Sequence, residues 1–285
     1  MSFSKDIGII DTMIGFPAND FKMYDFIREQ VKDDSTAFDF PVEYMFKQVP
    51  KELYGNPDPV SVTLTEMDKY GIDIGMVGCG DEVSQKALRD YPDRFVACGW
   101  VDPNKGMDGI RAMVQQHEEF GVRAFTAFNA GYNPQIGIDD ALMYPIYAKC
   151  VELGVPIFSC AGVPGPRLPM WPQEVSRIDK VMYDFPELVF VTRHGCEPWE
   201  ELAIKLMLKW PNLYYSTSAF APKHYPQKII DFANSRGADK IMYAGYFPFG
   251  LTVERIMTDM PGVGFKEAVW PKFLRENAKR VLGLG

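Results

Sequence analysis

Along the chain, short apolar runs rich in β-branched residues alternate with longer stretches whose apolar positions recur at helical spacing. The runs are IGIID (7–11), IDIGMV (72–77), RFVACGWV (94–101), VRAFTAF (122–128), VPIFSC (155–160), LVFVTR (188–193), NLYYST (212–217) and KIMYAG (240–245). Several are too apolar for a sheet with one wet face and fit parallel strands covered on both sides. Between them DGIRAMVQQHEEFG, DDALMYPIYAKCVELG and EPWEELAIKLMLKWP read as helices, each closing on Gly or Pro. Eight such units in 285 residues predict one α/β domain over residues 1–285, a (β/α)8 TIM barrel rather than an open doubly wound sheet. No G-x-G-x-x-G follows the first strand, which weakens a dinucleotide-binding reading.

Two stretches are longer than a barrel requires. Residues 16–60 form a long aromatic-rich insertion after strand 1, with Phe16, Phe21, Met23, Tyr24, Phe26, Phe38, Phe40, Tyr44, Met45 and Phe46. Residues 161–176 run AGVPGPRLPMWPQEVS and carry Trp171. Both follow a strand, so both belong over the C-terminal mouth, where barrel sites are built. As a lid, the aromatics cover an apolar substrate, with Phe128 and Trp171 among the residues that line it. As a packing surface, they bind the barrel or a second copy of the chain in a homo-oligomer.

Composition narrows the partners. With 47% hydrophobic residues the chain can bury a large core. Its 30 basic and 38 acidic residues give a net charge of −8, with no Lys or Arg run, so nucleic acid and anionic membrane are poor partners. The first residues, MSFSKDIGII, lack the pattern of a secretory leader, and no segment approaches the ~18 apolar residues of a spanning helix. The expectation is a soluble cytoplasmic protein with a small-molecule substrate. Cys79, Cys98, Cys150, Cys160 and Cys196 are odd in number and lack C-x-x-C spacing, which argues for reduced thiols over disulfides or structural zinc.

An ordered set of segments resembles the amidohydrolase-related family, in the branch of aminocarboxymuconate semialdehyde decarboxylase and related aromatic-acid decarboxylases. The segments are IID (9–11), YPDRFVACGWVDP (91–103), LGVPIFSCAG (153–162), FPELVFVTRHGCEPW (185–199), KWPNLYYSTSAF (209–220), GADKIMYAGYFPFG (237–250) and NAKRVLGL (277–284). The resemblance implies a metal-assisted barrel. It also assigns metal ligands to two positions after the strand-1 Asp, to the end of strand 5 and to the end of strand 8. Here those positions hold Met13, Gly15, Cys160 and Tyr246. Met, Gly and Tyr are not a donor set for such a cation, so the expectation is no metal and no other cofactor. A rearranged site of Asp11, Cys160 and His194 is the alternative.

What the resemblance leaves is His194, in TRHG, which matches the decarboxylases' acid-base histidine. His117 and His224 fall on or beside helices, where a solvated role is the default. Without a Lewis acid, a reaction relies on proton transfer and oriented dipoles. His194 is then the general acid or base, and Tyr246 either donates to a developing oxyanion or plugs a vacated cavity. Asp11 is expected to point inward with Met13 and to orient His194, or to bond nearby backbone. Met13 lines an apolar pocket. Arg193 clamps a substrate carboxylate, or faces the helix layer in an ion pair. A Cys160–His194 pair would give a nucleophilic hydrolase. The leading expectation is metal-independent hydrolysis or carbon–carbon cleavage of an apolar carbonyl or carboxylate compound; the alternative is an inactive ligand- or partner-binding barrel.

Overall fold

A computed structural model describes residues 7–17, 21, 24–46 and 49–285, so Met23 lies outside the described residues. The strands are β1 (Ile9–Asp11), β2 (Ile72–Gly78), β3 (Phe95–Trp100), β4 (Ala124–Ala127), β5 (Ile157–Cys160), β6 (Phe190–Arg193), β7 (Leu213–Ser216) and β8 (Ile241–Met242). Each pairs in parallel with the next, giving one sheet in sequence order. The ends meet just past the strands. Thr12 N–H donates to the Tyr243 carbonyl at 3.3 Å, Tyr246 N–H to the Met13 carbonyl at 2.8 Å, and Gly15 N–H to the Phe247 carbonyl at 2.8 Å. The chain is a (β/α)8 TIM barrel.

The covering helices include α1 (Asp25–Arg28), α2 (Pro59–Tyr70), α3 (Glu82–Asp90), α4 (Met107–Phe120), α5 (Tyr144–Leu153), α6 (Arg177–Asp184), α7 (Glu200–Lys209), α8 (Gln227–Ala233), α9 (Val253–Asp259) and α10 (Asn277–Val281). Asp58 and Asp81 cap α2 and α3 by accepting from the Ser61 and Ser84 amides. Gly121 ends α4 at φ 59°, a left-handed turn that a Cβ would disfavour. The predicted helix over 139–154 begins as a 3-10 turn, Ala141–Met143, before α5.

Strand alternation divides the core in two. Ile10, Met76, Cys98, Ala124, Phe158, Val191 and Met242 fill the barrel, and Ala278, Val281 and Leu282 join that cluster from the C-terminal segment. Ile9, Val77, Phe95, Phe125, Ile157, Phe190, Leu213 and Tyr243 face the helices. Each fully buried Phe, Ile or Leu removes enough apolar surface to stabilise the fold by about 1.5–3 kcal/mol before chain entropy is counted. A third cluster caps the mouth: Tyr24, Ile27, Val31, Phe40, Val42 and Leu168, with Phe46, Phe128, Tyr246 and Phe249 packed against it. The aromatic segment therefore rests on the barrel's own mouth. Among the described residues no helix is long and apolar enough to cross a membrane.

Candidate active site

At the end of β6 the inward phase passes from Val191 to Arg193. The guanidinium enters the barrel, opposite to the expectation that it faces the helices. The reason is the strand period: Val191 belongs to the interior cluster, and the side chain two residues on must follow it. Arg193 is 6% exposed. Nη1 donates to Thr126 Oγ1 at 2.7 Å and Nη2 to the Thr12 carbonyl at 3.2 Å, while Cζ lies 5.1 Å from the Phe158 ring centre.

His194 follows with φ 63°, and Gly195 and Cys196 keep the left-handed hand at φ 93° and 62°. Non-glycine residues there carry strain of about 1–3 kcal/mol each, which persists only where surroundings hold it. Here the buried Ser218 hydroxyl does so, accepting the His194 backbone N–H at 3.1 Å and lying 3.2 Å from Nδ1. The turn brings the imidazole to the mouth, partly exposed. It packs edge-on against Tyr246 with ring centres 5.5 Å apart. Burial, and then the Arg193 charge, push the imidazole down to about 3, so it is neutral at pH 7.

Tyr246 is also strained, at φ 89°. Its ring stacks on Phe46 at 5.7 Å and tilts against Phe249 at 5.4 Å. Burial holds its phenol well above the usual range, so it stays protonated. An ideal Cβ on Gly15 would stand 2.5 Å from Phe249 Cζ, so the Phe249 ring fills the space of any side chain there. Met13 is partly exposed at the same rim.

Asp11 does not join this group. Ile10 takes the inward place, with a register shift between Ile9 and Ile10, and Asp11 turns into the seam between β1 and β8. Its Oδ1 accepts from the Gly245 amide at 2.8 Å and the Met13 amide at 2.9 Å. Its Oδ2 lies by the Tyr243 hydroxyl, each the other's side-chain partner in the seam. Burial lifts the Asp11 carboxyl to about 7 despite these amides. The imidazole's partner is Ser218, so the expected Asp11–His194 orientation is absent among the described residues.

Cys160 is 5% exposed, and burial pushes its thiol up to about 12. Among the described residues the hydrogen bonds of His194 run from its backbone N–H and Nδ1 to Ser218 rather than to Cys160. Phe128 sits at the mouth edge-on to Phe26 at 6.4 Å. Trp171 stands farther out, 41% exposed, donating to Gln135 Oε1 at 3.1 Å. Sequence reasoning missed Ser218, Thr126 and Phe249; only the hydroxyl-rich STSAF stretch gave any sign of the first.

A family model described as Amidohydrolase matches residues 78–284. The chain belongs to the amidohydrolase family. Among curated proteins nothing matches. Solved structures share this amidohydrolase's fold over nearly its whole length. An uncharacterised TIM-barrel protein from Bordetella bronchiseptica is 23% identical, covering 96% of this chain and 98% of its own, with a TM-score of 0.75. A 5-carboxyvanillate decarboxylase from Novosphingobium aromaticivorans, carrying manganese and 3-methoxy-4-hydroxy-5-nitrobenzoic acid, is 17% identical over 100% of both chains, with a TM-score of 0.70. A 2,6-dihydroxybenzoate decarboxylase from Rhizobium is 17% identical, covering 97% of this chain and 99% of its own, with a TM-score of 0.65.

Proposed function

We propose that this amidohydrolase is an enzyme that works without a resident metal ion, by proton transfer at His194. Its substrate is an apolar small molecule bearing a carbonyl or carboxylate, and its reaction is hydrolysis or carbon–carbon cleavage of the decarboxylase kind. The observation that carries the reading is the Phe249 ring standing where a side chain on Gly15 would be, packed on the Tyr246 ring that also meets the imidazole.

The residues present do not fit a divalent cation. Among the described residues no group of three or more His, Cys, Asp or Glu is placed to hold one. Burial keeps the Cys160 thiol protonated, Asp11 is committed to backbone amides, and Arg193 already sets a positive charge in the barrel floor.

The imidazole is unprotonated at pH 7 and so offers a lone pair, although burial and the Arg193 charge make it a weaker base than a free histidine. In the tautomer that donates Nδ1–H to Ser218 Oγ, the Nε2 lone pair takes a proton from water or from a substrate hydroxyl. The resulting imidazolium then returns that proton to the leaving group or to the carbon released by cleavage. The Tyr246 ring packs edge-on against the imidazole at 5.5 Å, and its phenol, kept protonated by burial, would steady a developing oxyanion.

The test is turnover of hydroxybenzoates and aryl esters by protein purified without added metal, before and after chelation, with His194→Ala as control. Chelator-resistant activity that disappears in the variant supports the reading. A stoichiometric metal whose removal abolishes activity overturns it. A non-catalytic binding barrel is favoured by one observation, the stacking of Phe40, Phe46 and Phe249 on Tyr246. Binding without turnover across the panel would select it.

A further inference from the structure

We propose that Arg193 is an anion-binding centre built into the barrel floor, and that it holds the carboxylate of a bound small molecule. The inference rests on the reading of the mouth as the site, but not on turnover. A guanidinium offers five N–H donors and remains charged at every working pH. Inside a protein such a charge is normally matched by a carboxylate, because burial without one is costly. Arg193 is 6% exposed, yet among the described residues its partners are the Thr126 hydroxyl, the Thr12 carbonyl and the Cys98 thiol, all uncharged. Its Nε has no acceptor at all.

Among the described residues the surroundings give no matching negative charge. Cys98 and Cys160 lie within reach of its field, but burial raises both thiols and keeps them neutral. Asp11 feels the guanidinium only weakly, and its carboxyl is engaged in the β1–β8 seam by the Gly245 and Met13 amides and the Tyr243 hydroxyl. Among the described residues, then, no carboxylate is paired with Arg193 on the protein side of the mouth.

Position makes this a site rather than a buried defect. Thr126, which fixes Nη1, is partly exposed at the end of β4, and His194 and Tyr246 are partly exposed beside it. His194 follows Arg193 directly in the chain, and its ring centre lies 5.5 Å from that of Tyr246, so the three residues border the same side of the mouth. Phe128, Tyr246 and Phe249 pack against the cluster that caps the mouth and give it apolar surface, which suits the body of an aryl or alkyl acid. A carboxylate entering there would meet an N–H fork of matching geometry. It would also offset the charge that disfavours protonation of His194, so the imidazole would gain basicity as the anion binds.

Benzoate is the probe, and benzamide, of the same shape without the charge, is its control. Titration of the full chain by calorimetry at pH 7 should give saturable benzoate binding at least about tenfold tighter than benzamide. The Arg193 Nε–H resonance should shift with benzoate and not with benzamide. Arg193→Met should erase the preference, and Arg193→Lys should keep part of it. If Arg193→Met fails to fold, the Nε–H shift and the benzoate to benzamide ratio of the wild type decide. Equal binding of the two probes, no benzoate binding, or binding that leaves the Nε–H resonance unmoved overturns the proposal. Benzoate binding through Arg193 without turnover of any panel compound would sink the enzymatic reading alone.

Discussion

Ser218 holds His194 at two points, accepting the backbone N–H at 3.1 Å and meeting Nδ1 at 3.2 Å with the same hydroxyl oxygen. That oxygen fixes both a strained turn and the direction of the ring. If His194 is the base, Ser218→Ala should lower turnover by up to about 100-fold through misplacement alone, and Ser218→Thr should restore part of the rate. His194→Ala should cost about 10²–10⁴-fold. Steady-state rates, alongside circular dichroism to establish folding, check both; full activity in His194→Ala would remove the imidazole from the chemistry.

The neutral state of His194 has its own signature. Its folded-state pKa lies below the ordinary value, at about 3, so the ring should stay unprotonated as pH falls from about 8 to about 5. Its imidazole C–H resonance, assigned by comparison with His194→Gln, should not move across that range. A titration midpoint near neutrality would show that the site is wetter than its packing implies. Between the folded value and the unfolded one, the unfolded chain binds the extra proton, so this group lowers stability as pH drops below about 6.

Asp11 works in the opposite sense. Burial raises it from 3.8 to about 7, so the folded chain binds its proton more tightly than the unfolded chain. Its contribution is therefore full below about 4 and is lost as pH climbs to about 7. Asp11→Asn keeps an acceptor for the Gly245 and Met13 amides but cannot ionise. Relative to wild type it should gain about 1–3 kcal/mol between pH 5 and pH 8, measured by urea unfolding. A difference that stays constant with pH would mean Asp11 is neutral or ionised throughout.

Gly15 and Phe249 should behave as one unit. A methyl group on Gly15 would meet Phe249 Cζ at 2.5 Å, so Gly15→Ala must push the ring from its seat. The expected loss is about 1–3 kcal/mol, recovered by adding Phe249→Leu. Thermal midpoints of the two single variants and the double variant measure the coupling, and simple additivity would show that the ring is free to move.

Cys160 should be inert in the folded protein. At 5% exposure, with its thiol pushed up to about 12, it should resist iodoacetamide at pH 8 and react only after unfolding. Rapid labelling of the native chain, located by peptide mapping, would reopen a nucleophilic role.

The eight strands were legible because parallel strands covered on both sides must be apolar nearly throughout, and FVACGW or VPIFSC can be little else. The direction of individual side chains at strand ends was less so. Arg193 was expected on the helix side because His194 was counted as the inward residue. The left-handed backbone at His194 breaks the alternation, and hydrophobic pattern does not encode backbone hand. At Asp11 the register shift in β1 misled the same two-residue count. Ser218 and Thr126 are short hydroxyl residues whose importance comes from partners 24 and 67 positions away, a distance that local pattern does not reach.

The bonds that complete the barrel run through the very segment that borders the mouth, from Met13 to Tyr246 and from Gly15 to Phe247. With β8 only two residues long, those few links fasten the hoop. A molecule gripping both margins would act as a clasp, slowing hydrogen exchange at the Gly15 and Tyr246 amides, and anyone grafting new ligating side chains onto that border would be rebuilding the fastening itself.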